Sequence, residues 1–250
     1  MHFGTLRIAK PLCASRKPTM SRSRRSEFKG SKYWILANSR IMYDFKFDPI
    51  KAYLESTQGL ILQQEKELNE KYHAWNKEHS NNPEIPDAFD IYEMEIMNSS
   101  EFPNILNQSI YLTIYSTFEN EFFKLCEWCQ KAESLKIGPK DINGQGYIGQ
   151  CRKYVTNVLD VNLDGLNEKW AEIKKYQLIR NSIAHNNGIL KSPKNDVLTF
   201  IENSNGISFD TEKSQVKMES IDFLKTLIDK LTDFLSETAE RIIMEKNAST

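Results

Sequence analysis

The chain is poor in the residues that break or staple a fold. Its 250 residues hold ten glycines, eight prolines and four cysteines. So few glycines and prolines favour helices over a sheet-rich sandwich, and so few cysteines suit a reducing, cytoplasmic setting. No stretch approaches the ~20 apolar residues that span a bilayer. The basic N-terminus lacks the continuous apolar run of a secretory signal. There is no G-x-x-x-x-G-K-S/T, no dinucleotide fingerprint and no H-E-x-x-H, and Asn143-Gly144-Gln145-Gly146 reads as a flexible loop rather than a phosphate cradle. Cys126 and Cys129 form a C-x-x-C, but inside an apparent helix and without a second pair. His73, His79 and Cys151 complete no recognised zinc spacing. The thiols are read as structural, and neither metal nor cofactor is expected.

Net charge is also small, −1, but it is unevenly spread. Residues 1–41 carry ten Lys/Arg and one acid, Glu27, a balance of +9, so the remaining 209 residues sum to −10. An acidic body argues against sequence-blind binding to duplex nucleic acid, while leaving room for a local basic cleft on a single strand. Residues 1–41 lack sustained periodicity. They read as a basic, disordered extension, or as an over-extended translation of a chain that begins at Met42, with a nucleic-acid-binding arm or organelle presequence as the third reading. Residues 42–250 form the expected folded domain.

What is abundant is helical periodicity in Leu, Ile, Lys and Glu. Asp48-Pro49 predicts a helix start and Ser80-Asn81-Asn82-Pro83 its end near His79. A short helix is predicted around Ala88–Met97, then a second long helix from Asn104 to Ala132. The latter is apolar on most of its circumference, as for a helix buried on several sides or at a subunit interface. Helices follow at Tyr147–Leu159 and Leu166–Ala184, the latter stopped by Asn187-Gly188. Val197–Ile201, Gly206–Phe209 and Gln215–Met218 predict short strands, with Asn203–Gly206 as the turn. A last helix is predicted from Glu219 to Glu245.

The segment that carries chemistry is Tyr176-Gln177-Leu178-Ile179-Arg180-Asn181-Ser182-Ile183-Ala184-His185-Asn186-Asn187-Gly188. An imidazole exchanges its proton near neutrality, and a guanidinium presents a planar fork to phosphate oxygens. Asn181 suits holding phosphate or orienting His185. Five residues apart on a helix, Arg180 and His185 lie about 140° apart around the axis and ~7.5 Å along it, so a second copy or a bend must bring them together. The plainer reading makes both residues favourable charges at a helix C-terminus. Glu119, among Phe118, Phe122 and Phe123, either pairs with Arg180 or faces solvent. Tyr176 reads as a core residue or a base-stacking one.

Arg180-Asn181, His185-Asn186 and the Tyr115-Ser116-Thr117-Phe118-Glu119 run of the preceding long helix resemble the R-x4–6-H signature and second helix of HEPN domains, over roughly residues 45–245. The resemblance implies an all-α, up-down HEPN-like bundle with long helices and a small β-hairpin before the last one. It also implies a homodimer whose motif helices form one cleft, and metal-independent cleavage of single-stranded RNA to 2′,3′-cyclic phosphate and 5′-OH ends. In that setting Arg180, Asn181 and His185 are catalytic, with Glu119, Tyr176 and Asn186 supporting. The expected role is a toxin or defence effector held by an antitoxin or regulatory protein. The competing expectation is a non-catalytic dimerisation or partner-binding module on the same scaffold.

Overall fold

A computed structural model describes residues 30–79, 84–144 and 146–248. They are mostly helical, with one small two-stranded antiparallel sheet. The elements are α1 (Ser39–His79), α2 (Ala88–Ala132), α3 (Gly146–Lys153), α4 (Asn167–Asn186), α5 (Asn195–Glu202), β1 (Ile207–Asp210), β2 (Gln215–Met218) and α6 (Ile221–Ala248). None of the described helices is long and apolar enough to cross a membrane.

The folded body begins upstream of Met42. A 3₁₀ turn at Trp34–Asn38 leads directly into α1. Tyr33, Leu36 and Ala37 are buried, and the Tyr33 ring meets Trp128 edge-on with centroids 5.5 Å apart. This part of the segment read as a basic extension therefore packs into the core, although local periodicity is too short there to reveal it; residues 1–29 lie outside the described set. Asp48-Pro49, expected as a helix start, falls inside α1. The proline forfeits one backbone hydrogen bond, a local cost offset by burial of Tyr43, Phe47 and Leu54 on either side.

The same override acts in α2. Pro103 lies inside a 45-residue helix, about 68 Å long, where a break was expected. Asp87 caps its start, the side chain accepting from the Asp90 N–H at 3.0 Å. Beyond Pro103, Ile110, Tyr111, Ile114, Tyr115, Phe118 and Phe122 are buried at helical spacing. Before it, only Ala88 is buried among the described residues of α2, and in α1 none is buried after Leu54. The two helices thus run on as an antiparallel arm beyond the core. At its tip the Trp75 indole donates to the Pro86 carbonyl at 3.1 Å and packs on His79.

α6 is the central element of the body. Leu224, Leu227, Ile228, Leu231, Phe234 and Leu235 are buried along the face expected from the sequence. Phe234 gathers Phe118, Phe122 and Trp170 within 5.6–6.2 Å of its ring centroid. Cys126, Cys129 and Cys151 are buried free thiols in the same core, with Cys126 Sγ 3.7 Å from the Cys151 carbonyl.

Between α4 and α6 the sequence reading needs two corrections. Val197–Ile201, expected as a strand, belongs to α5, where Val197 and Ile201 bury the same face one turn apart. The hairpin turn is Thr211–Ser214, not Asn203–Gly206, because Ile207 pairs with Met218 and Asp210 with Gln215. The Asp210 carboxylate accepts the Glu212 and Lys213 N–H groups at 3.1 and 3.0 Å and shapes that turn. The hairpin sits on α2 through Asn107 and Asn104, which bond the backbone of Met218 at 3.1 and 2.9 Å. It also holds the end of α4, since Val216 N–H donates to the Gly188 carbonyl at 2.9 Å.

Candidate functional site

α4 owes its position to Ile173, Tyr176, Ile179, Ser182 and Ile183, which are buried. Its outward face carries Lys174, Leu178, Asn181 and His185, at successive spacings of four, three and four residues. The helix ends on a left-handed residue, Asn187 at φ +50°, followed by Gly188 at φ +80°. The Gly188 N–H returns to the Ser182 carbonyl at 3.0 Å, so this end is fixed rather than frayed.

Arg180 turns toward α2. Its Nη2 lies 3.5 Å from Glu119 Oε2, and its Nη1 donates to Asn181 Oδ1 at 3.1 Å. Among the described residues its Nε is buried without a hydrogen-bond partner, and so is the Tyr115 hydroxyl one turn before Glu119. Burial pushes the Glu119 carboxyl up, and the nearby guanidinium only partly opposes this. The Tyr115 phenol is raised by burial first and by the Glu119 charge second, and lowered by Arg180. Tyr115, Glu119 and Arg180 therefore form one electrostatic cluster joining α2 to α4.

Above this cluster lies an open cleft of about 550 Å³. Glu119, Arg180 and Asn181 form its floor, while Lys174, Gln177 and Leu178 extend it along α4 and Gly146 with Tyr147 close it from α3. Lys174 donates to Gln177 Oε1 and stands over the Trp170 ring, and burial lowers its pKa. Two cations and one carboxylate face the cleft, a local excess of positive charge on an acidic body. Such a floor can hold an anion against Arg180 and Lys174.

His185 sits on the exposed last turn of α4, and no hydrogen bond or ion pair joins it to Arg180 or to any other described residue. Arg180 and Asn181 thus meet, together with Glu119, while His185 stands apart in a single chain. Asn186 is exposed, and its carbonyl caps the Ile189 N–H at 2.9 Å. Tyr176 is a core residue: its hydroxyl donates to Glu172 at 2.8 Å, and its ring meets Phe200 edge-on. In that position it does not reach the cleft. Sequence reasoning missed Tyr115, Lys174, Gln177 and Tyr147. Lys174 and Gln177 carry a signal, lying six and three residues before Arg180, and Tyr115 lies one turn before Glu119. Tyr147 comes from another element and leaves none. Among the described residues no group of three His, Cys, Asp or Glu side chains is placed to hold a metal ion. No protein-family model matches this chain, and neither a curated protein nor a solved structure is significantly similar to it.

Proposed function

We propose that this chain is a HEPN-type endoribonuclease that cuts single-stranded RNA without a metal and serves as a toxin or defence effector. The observation that carries the reading is the Glu119-held guanidinium of Arg180. It sits beside Asn181 at the floor of a locally cationic cleft, on the same short helix as an unencumbered His185. A phosphodiester in that cleft would place non-bridging oxygens against Arg180 and Lys174. Charge developing on the pentacoordinate phosphorus is then met by fixed cations. An imidazole takes the 2′-OH proton as the 2′-oxygen attacks phosphorus. The bond to the 5′-oxygen breaks, that oxygen is protonated, and a 2′,3′-cyclic phosphate and a 5′-OH remain. His185 lies one turn beyond Asn181 on the outward face of α4 and supplies that imidazole.

One observation favours the alternative of a non-catalytic, partner-binding module: the side-chain partners of Arg180 among the described residues are Glu119 and Asn181, not His185. The two readings separate in one experiment. The full chain is incubated with a broad panel of single-stranded RNAs in EDTA, beside His185→Ala and Arg180→Ala, and the ends are analysed. Cleavage that survives EDTA, leaves 5′-OH ends and disappears in both variants supports the ribonuclease. Folded, dimeric protein that cuts none of the panel supports the module.

A further inference from the structure

The arm leaves an apolar stripe uncovered. On the outer side of α2, Ile91, Met94, Phe102 and Ile105 are 41, 63, 51 and 58% exposed. With Asn98, also exposed, they fall within about 80° of one another around the helix, at successive spacings of three, four, four and three residues. That order reads the same from either end. Turned end over end about Asn98, the stripe sets Ile91 against the partner's Ile105, Met94 against the partner's Phe102, and Asn98 against the partner's Asn98. A patch that is its own complement in this way is what a two-fold interface requires. A central Asn with apolar residues on either side also fixes register in paired helices. The four apolar side chains offer on the order of 400 Å² per copy, in the range of the largest apolar patch on a typical monomer, which is often functional. The groove beside them, lined by Ile61, Leu68 and Phe102, widens the contact toward the roughly 800 Å² per partner of a standard interface.

We infer that the arm is an interface between two copies of this chain, α2 against α2, antiparallel and in two-fold register about Asn98. The inference does not rest on the chemistry of the cleft. It specifies a contact separate from α4, and it has its own salt signature. No Lys or Arg occurs between Lys77 and Lys124, and Asp90, Glu95 and Glu101 flank the stripe. Pairing therefore brings acidic flanks together, and salt screens their repulsion. A nucleic acid or a basic partner would instead be released by salt.

The test uses the full chain in sedimentation velocity and in crosslinking. The wild type should be a dimer at micromolar concentration, tighter at 0.5 M than at 0.05 M NaCl. Met94→Glu with Ile105→Glu should raise the dissociation constant at least tenfold while leaving the circular dichroism unchanged. In a Cys13→Ser background, Asn98→Cys should crosslink nearly completely under mild oxidation, since the native Cys126, Cys129 and Cys151 are buried. Ser109→Cys should not crosslink, because eleven residues off the axis its mate lies about 33 Å away. A monomeric wild type overturns the inference, as does equal crosslinking at both positions. A dimer that ignores the Met94 and Ile105 changes but dissociates in Leu178→Glu also overturns it and places the contact on α4, which leaves the ribonuclease proposal standing.

Discussion

Removing the guanidinium of Arg180 should make stability depend on pH in a direction set by Glu119. The pair is 3.5 Å apart, with side chains 26 and 17% exposed. At an effective dielectric of about 20, opposite charges at that distance attract by roughly 5 kcal/mol before desolvation is subtracted. Desolvation already exceeds that attraction, because the Glu119 carboxyl is raised with Arg180 in place. In Arg180→Ala it rises further. A raised carboxyl means that the native state keeps a proton which the unfolded chain has released. Stability is then lost as pH climbs from the unfolded value through the native one. Arg180→Ala should therefore lose about 1–2 kcal/mol more, relative to wild type, near pH 8 than near pH 5, once partial solvation of the pair is allowed for. Urea unfolding at the two pH values measures the difference. Adding Glu119→Gln to Arg180→Ala should abolish the pH-dependent part. A penalty equal at both pH values would refute the pairing, and with it the positioning of Arg180 by α2.

Three further outcomes follow from the packing. Phe234→Ala should cost about 3–5 kcal/mol in urea unfolding, because the ring is fully buried among Phe118, Phe122 and Trp170. Burial pushes the Cys129 thiol up to about 12 and raises Cys126 as well, so neither should react with an aromatic disulfide reagent at pH 8 until the protein is unfolded. At the end of α4, Asn187→Ala should lower stability by about 1 kcal/mol and Asn187→Gly should not, since φ is +50° there. If both variants melt alike, the left-handed cap is not what fixes the His185 turn.

The sequence made α4 and α6 legible because in both the apolar spacing and the terminal signals agree. Leu224 to Ile242 keep one face throughout α6, and Asn187-Gly188 stops α4 where it should. It misled where local and tertiary terms conflict. Asp48-Pro49 and Pro103 look like boundaries, yet both helices run through them: Tyr43, Phe47 and Leu54 are buried around the first, and the stretch buried from Asn107 onward anchors α2 beyond the second. Val197-Leu198-Thr199-Phe200-Ile201 is rich in strand formers, but a four-residue period buries Val197 with Ile201 and decides for helix. Of the candidate site, Arg180 and Asn181 were readable from their segment. Whether Glu119 meets Arg180 was not, because that depends on how α2 and α4 cross, and no residue of either helix alone encodes it. Tyr176 resolved to the core reading, as its spacing with Ile173, Ile179 and Ile183 allows.

Pro103 has a mechanical consequence. A proline at that position supplies no N–H, so the Ser99 carbonyl lacks its helical partner, one turn before α2 enters the core at Asn107. The ladder is a rung short at the level where burial in the core also stops. A load carried along α2 from the Trp75 tip meets this missing rung before it reaches Tyr115 and Glu119, three and four turns further on.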